Sequence, residues 1–176
     1  MIRQQYMNED IQELFKELYD KESDAIFRFC LMRVSDRDQA LDITQEVFLR
    51  LWNNLIEKKK ISNHRAFIFT ITRNLIIDWY RKKKSISLDS MIDNEQERFD
   101  IIDGNIINNL ELSFEGKNLL EKISELSETY QTPVYLRFVE DLSPKEISAI
   151  TGLSENVVSV RVNRGIEELR NKMGYK

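Results

Sequence analysis

Two stretches of this chain carry side chains that suit nucleic acid, and by two different chemistries. Residues 65–84 read Arg-Ala-Phe-Ile-Phe-Thr-Ile-Thr-Arg-Asn-Leu-Ile-Ile-Asp-Trp-Tyr-Arg-Lys-Lys-Lys. Phe67, Ile71 and Leu75 recur every fourth residue, and that row is expected to be mostly core. Phe69, Arg73, Asn74, Trp79, Tyr80 and Arg81 then interleave rings, an amide and cations on the remaining surface. Cations hold phosphate and flat rings stack on unpaired bases, so the mixture suits single-stranded nucleic acid. A core helix with a solvated basic end has the same composition.

The second stretch, residues 142–164, is a helix-turn-helix. Ser143 caps a short helix, Pro144 fits its first turn and Glu146 completes a capping box. Ile147 and Ile150 give it an apolar face, and Gly152 ends it. Ser154 caps a second helix that runs to about Lys172. On that helix Val158, Val162, Gly165 and Leu169 face inward. Val157, Val160, Arg161 and Arg164 share another face, with Asn156 and Asn163 nearby. Valines can touch thymine methyls while Arg161 reads a guanine or holds phosphate. The plain alternative is a three-helix packing unit with surface arginines.

Chemistry of the catalytic kind is poorly represented. His64 is the only histidine, so no His-based metal cluster or triad can form within one chain. There is no Gly-rich phosphate loop. Neither catalytic residues, a metal, a cofactor nor a small-molecule substrate is expected.

The elements that must position these residues read as helices. Five Gly and two Pro in 176 residues leave little to break them, and no alternating strand pattern is long enough to use. Asn8 is expected to cap a helix carrying Ile11, Leu14, Phe15 and Leu18, and Ser23 to start a second with Ile26, Phe27, Cys30 and Leu31 inward. Ser35 or Asp36 starts a third, striped with Leu41, Thr44, Val47, Phe48, Leu51, Trp52 and Leu55. Residues 57–63 form a loop, and Ser62 caps a fourth helix from Asn63 to about Lys83. In the C-terminal part Leu119, Leu120, Ile123 and Leu126 mark a helix. The next starts either at Ser127, with Pro133 inside it, or at Thr132, and Val134, Leu136, Phe138 and Val139 supply its core.

Charge divides the chain more sharply than its net value of −4 suggests. Between residues 58 and 84 nine basic residues face Asp78 alone; between 85 and 116 the acidic residues face only Arg98. The expected organisation is all-α: a helical domain over 1–84, an acidic flexible linker over 85–109, and a helix-turn-helix domain over 110–176. No run is long and apolar enough to span a membrane, and the N-terminus lacks the apolar core of a signal peptide. The single cysteine, Cys30, is expected to be buried, and a cytoplasmic protein is the simplest reading.

These motifs occur in an order that resembles the extracytoplasmic-function (ECF) sigma factors of bacterial RNA polymerase. Residues 42–52 (Asp-Ile-Thr-Gln-Glu-Val-Phe-Leu-Arg-Leu-Trp) are similar to the family's polymerase-clamp helix. Residues 65–84 are similar to its −10 helix and 142–170 to its −35 helix-turn-helix. The resemblance implies two helical domains on a flexible linker that runs through the polymerase's RNA path. The implied partners are core RNA polymerase (the clamp of its largest subunit and the flap), promoter DNA and an anti-sigma factor. Asp42, Gln45, Glu46, Leu49 and Arg50 would contact polymerase. The loop from about Lys58 to His64 would pocket a flipped base, and the implied −10 set is Lys60, Asn63, His64, Arg65, Phe67, Arg73, Asn74, Trp79, Tyr80, Arg81, Lys82 and Lys83. The implied −35 set is Asn156, Val157, Ser159, Val160, Arg161, Asn163 and Arg164. Phe67 stands where the family often has Trp, Ser159 where it often has Lys or Arg, and Val160 where a small polar residue is usual.

Two other functions compete. A stand-alone helix-turn-helix regulator would leave residues 42–52 and 65–84 unexplained. A nucleic-acid enzyme using carboxylate-bound metal would need an acidic cluster that no expected helix face supplies.

Overall fold

In a computed structural model, residues 2–57, 60–86, 110 and 112–172 are described, without the side chains of 2–8 and 84–86. Seven helices and no strand are found among them. They are α1 (Ile2–Val34), α2 (Arg37–Ile56), α3 (His64–Ile86), α4 (Phe114–Ser124), α5 (Glu128–Phe138), α6 (Pro144–Thr151) and α7 (Glu155–Lys172). The expected acidic linker lies outside the described residues, apart from the end of α3 at Ser85 and Ile86.

Helices α1, α2 and α3 pack on one another around Ile26, Phe29, Val47, Leu51, Ile68 and Ile76, all nearly or wholly inaccessible. Helix α1 is continuous, which corrects the expected break at Ser23. Neither Gly nor Pro lies between Leu18 and Ile26, so the apolar period continues through the polar stretch. Between α1 and α2 the chain turns at Ser35, whose φ is +50°. Asp36 then caps α2, its carboxylate accepting from the Gln39 N–H at 3.0 Å. The cap of α3 is Asn63, not Ser62: its side-chain oxygen accepts from the Ala66 N–H at 2.9 Å.

In the second domain α5 packs against α4, α6 and α7. It starts after Ser127 and carries Pro133 inside it, which settles that alternative. The Ser127 hydroxyl makes no cap bond and donates instead to the Glu168 carboxylate of α7 at 2.9 Å. Gly165 lets α7 lie close to α5, because a Cβ there would run into Val134 and Tyr130. The helix-turn-helix follows its expected chemistry closely. Both halves of the Ser143–Glu146 capping box form, and Gly152 ends α6 in the left-handed region at φ +74°. Ile147, Ile150 and Val158 are buried beneath it.

The inward rows need some correction. Leu41, Leu119 and Phe138, expected inside, are exposed. Cys30 is fully buried, and desolvation pushes its thiol up to about 12, which removes it as a nucleophile at neutral pH.

The two domains also pack against each other. Helix α6 lies on α3, and the Phe29 ring of α1 meets the Tyr135 ring of α5 at 5.4 Å between centroids.

Candidate nucleic-acid interface

Helix α7 leaves one face uncovered. Val157 and Val160 are 39% and 49% exposed, a large apolar exposure for two valines one turn apart. Asn156, Ser159, Asn163 and Arg164 are exposed beside them, and Arg161 is half-buried. The Ser159 hydroxyl donates back to the Glu155 carbonyl at 2.9 Å. Asn156, Val157, Val160, Arg161 and Arg164 line one groove together with Thr129 and Tyr130 of α5. Those last two residues escaped the sequence reading. The available signal was Gly165, a glycine inside a helix that marks where a second helix approaches.

Residues 60–83 separate into three groups. Lys60, Asn74, Arg81, Lys82 and Lys83 are exposed, and the Lys83 ammonium lies 4.7 Å from the centre of the Trp79 ring. Trp79 and Tyr80 are half-buried anchors: the Trp79 indole N–H donates to the Gln39 amide oxygen at 2.8 Å, and the Tyr80 hydroxyl donates to the Arg33 carbonyl. Phe67, His64 and Arg73 are half-buried. Phe69, expected on the surface, is fully buried against Phe29 with ring centroids 5.7 Å apart. The core face of α3 is therefore shifted from the expected row toward Ile68, Phe69, Thr72 and Ile76.

The third group, Asn63 and Arg65, faces the second domain. The Asn63 amide donates to the Glu146 carboxylate at 2.7 Å. Arg65 donates from Nε to Glu22 at 2.9 Å, from Nη1 to the Glu140 carbonyl at 2.7 Å and from Nη2 to the Glu140 carboxylate at 3.0 Å. Glu22 and Glu140 are almost wholly inaccessible. Burial raises the Glu140 carboxyl above its ordinary range, while the Tyr135 hydroxyl, Arg28 and Arg65 pull it back. Glu146 is held below its ordinary range, first by the Ser143 hydroxyl.

Helix α2 presents a different surface. Val47 and Leu51 point inward, while Asp42, Gln45 and Arg50 are exposed and Glu46 is half-buried. Leu49 is 54% exposed at the rim of a shallow apolar groove lined by Phe15, Tyr19, Phe48 and Trp52. Arg50 and Glu46 pair at 2.7 Å along the helix. Among the described residues no group of His, Cys, Asp and Glu is placed to hold a metal ion, and no helix is long and apolar enough to cross a membrane.

Residues 18–86 match the family described as Sigma-70 region 2, and residues 116–169 the one described as Sigma-70, region 4. The chain is 26% identical over 166 residues to ECF RNA polymerase sigma factor SigX of Bacillus subtilis (strain 168), across 93% of this chain and 85% of that one. It is 29% identical over 171 residues to ECF RNA polymerase sigma factor SigW of the same strain, across 92% and 90%. The chain belongs to the ECF sigma factors. It directs promoter-specific initiation by RNA polymerase. A stand-alone regulator is not favoured, because the region 2 match takes in both segments which that reading leaves unexplained. The fold is also similar to the sigma factor RpoE solved in complex with the anti-sigma factor NepR from Bartonella quintana. That match has a TM-score of 0.68 at 21% identity and covers 91% of this chain and 96% of that one.

Proposed function

We propose the following division of labour within this sigma factor. The domain up to about residue 84 grips the clamp of the polymerase through Asp42, Gln45, Glu46, Leu49 and Arg50 of α2. It handles the opened −10 element through the loop from Lys60 to His64, with Arg65 and Phe67 behind it, and through Arg73, Asn74 and the Trp79–Lys83 end of α3. The domain from about residue 110 reads the −35 element with Asn156, Val157, Ser159, Val160, Arg161, Asn163 and Arg164, and meets the flap. It acts as a non-enzymatic binding subunit in the cytoplasm, and an anti-sigma factor is its natural repressor.

The observation that carries this reading is the uncovered face of α7. Two valines that other helices could have buried stand in solvent beside two arginines. Such a face suits the major groove, where methyl groups and guanine edges lie side by side. Helix α2 supports the polymerase half, since exposed Leu49 borders an apolar groove amid polar neighbours. Run-off transcription with core polymerase and α7 variants tests the −35 half: Val157→Ser or Val160→Ser should lower initiation at promoters with thymine at the contacted positions. Equal initiation on every promoter variant would remove α7 as the reading helix.

A further inference from the structure

We propose, resting on the assignment of α7 to the −35 element, that Glu168 is a positioning residue for that recognition. It caps α5 from α7 and so fixes Thr129 and Tyr130 beside Arg161.

The starts of α6 and α5 are closed differently. At α6 the acidic half of the capping box is local: Glu146, three residues after Ser143, accepts from the Ser143 N–H at 2.8 Å and from its hydroxyl at 2.7 Å. At α5 the same position after Ser127 is Tyr130, which has no carboxylate to reach back. The Ser127 hydroxyl makes no cap bond within its own helix. Glu168, 41 residues along the chain on α7, takes that part. One of its oxygens accepts from the Ser127 N–H at 3.0 Å, and the other from the Ser127 hydroxyl at 2.9 Å. A carboxylate also suits the positive end of α5. Lys172, one turn further on α7, lies 3.8 Å from Glu168 and donates to the Glu125 carbonyl in the turn before α5.

What this cap holds is one wall of the α7 groove. Arg161, Gly165, Glu168 and Lys172 follow one stripe of α7, and the first turn of α5 lies along it. Gly165 is the close approach: a Cβ there would come within 3.1 Å of the Tyr130 Cβ. Glu168 is the tether, one turn beyond it. The glycine decides how near the two helices lie. The two hydrogen bonds decide how α5 is set along α7. Thr129 and Tyr130 thereby stand with Arg161 and Arg164 in one groove, where Arg161 is half-buried and Arg164 exposed. An arginine has a long side chain, and a base edge takes its planar fork in one orientation. A wall that limits its rotamers therefore sharpens discrimination without touching DNA. Glu168 lies about 10 Å of helix beyond Arg161, so it acts through that residue and not on a base.

The test is −35 preference, measured as binding of the full-chain holoenzyme to promoters substituted one base at a time, at two salt concentrations. A good base contact discriminates roughly 5- to 150-fold, and Glu168→Ala should lose about three- to tenfold of it at the position that Arg161→Ala relaxes. The salt slope should not change. Glu168→Gln keeps an acceptor and removes the charge, and should restore the wild-type preference. Ser127→Ala removes one of the two bonds and should lose less, at the same position. Added to Arg161→Ala, Glu168→Ala should change nothing further there, because it acts through that arginine. Thermal melting reports whether each variant folds. Wild-type preference in a folded Glu168→Ala chain, or in Ser127→Ala where Glu168→Ala does not fold, overturns the positioning role. So does the same uniform change across all sequences in Glu168→Ala and Glu168→Gln, which marks an effect of charge alone. Failure of α7 as the reader is distinct: Arg161→Ala would itself leave −35 preference unaltered.

Discussion

The two proposed nucleic-acid surfaces of this sigma factor are presented in opposite ways. The α7 face stands in solvent, with Val157 and Val160 held outward by a helix whose other side is packed through Val158, Val162 and Gly165. The surface around α3 is partly committed: Trp79 and Tyr80 are bonded to α2 and α1, and Asn63 and Arg65 to the second domain. A face that reads duplex DNA meets a preformed shape and can be ready in advance. A face that takes unstacked bases acts only after the duplex opens, so its polar groups can hold other partners until then.

The largest effect that would break this contrast lies in the buried cluster. Removing one member of a buried, bonded charge group costs about 3–5 kcal/mol, because its partners are left behind. Glu140→Ala should approach that range in equilibrium unfolding, with Arg65, 32% exposed at its side chain, recovering some cost through water. A loss below about 0.5 kcal/mol, the level of an ordinary surface change, would mean that Arg65 is not committed to the second domain at all.

Next in size is α7, the proposed reading helix. Arg161, nearer the start of α7, is the better placed for a base edge, and Arg164 for phosphate. Arg161→Ala should cost about 1–3 kcal/mol at one base position, and Arg164→Ala should weaken all sequences alike and reduce the salt slope. Binding of both holoenzymes to single-base-substituted promoters at two salt concentrations separates them.

The scaffold of that open face is sharpened by its cap. Ser143→Ala should destabilise the second domain by about 1 kcal/mol. Glu146 adds a pH dependence. Its carboxyl is held below the ordinary value near 4.5, so its contribution is complete above that value and disappears as pH falls through the lower, folded one. Melting of Glu146→Gln against wild type should show a gap at neutral pH that narrows in acid.

Smallest in stability is the proposed polymerase face. Glu46→Lys changes a half-exposed residue and should move unfolding by less than about 0.5 kcal/mol, yet weaken binding to core polymerase. Unchanged affinity would remove α2 as the contact.

Local chemistry made the open half of the molecule readable. Ser143, Glu146 and Gly152 act within four residues of themselves, and their spacing was enough to place α6 and α7. The committed half depends on contacts that no local pattern records. Arg65 meets Glu22 and Glu140 across 43 and 75 residues, and Arg33 meets Thr132 across 99. Helix α3 packs against α1, α2 and α6 together. Its inward face is therefore wider than a single stripe, which is why Phe69 is core and the expected row is displaced. At Ser23 a capping residue without a nearby breaker did not end a helix. At Asn63 the better-placed amide displaced Ser62 as the cap.

The division of labour between the two surfaces is tested most directly by one transcription measurement. Holoenzymes carrying Arg161→Ala or Asn74→Ala are run on promoters substituted one base at a time through both elements. The account expects Arg161→Ala to alter preference only within −35, and Asn74→Ala only within −10. Altered preference in the opposite element, or the same uniform loss from both variants, would contradict it.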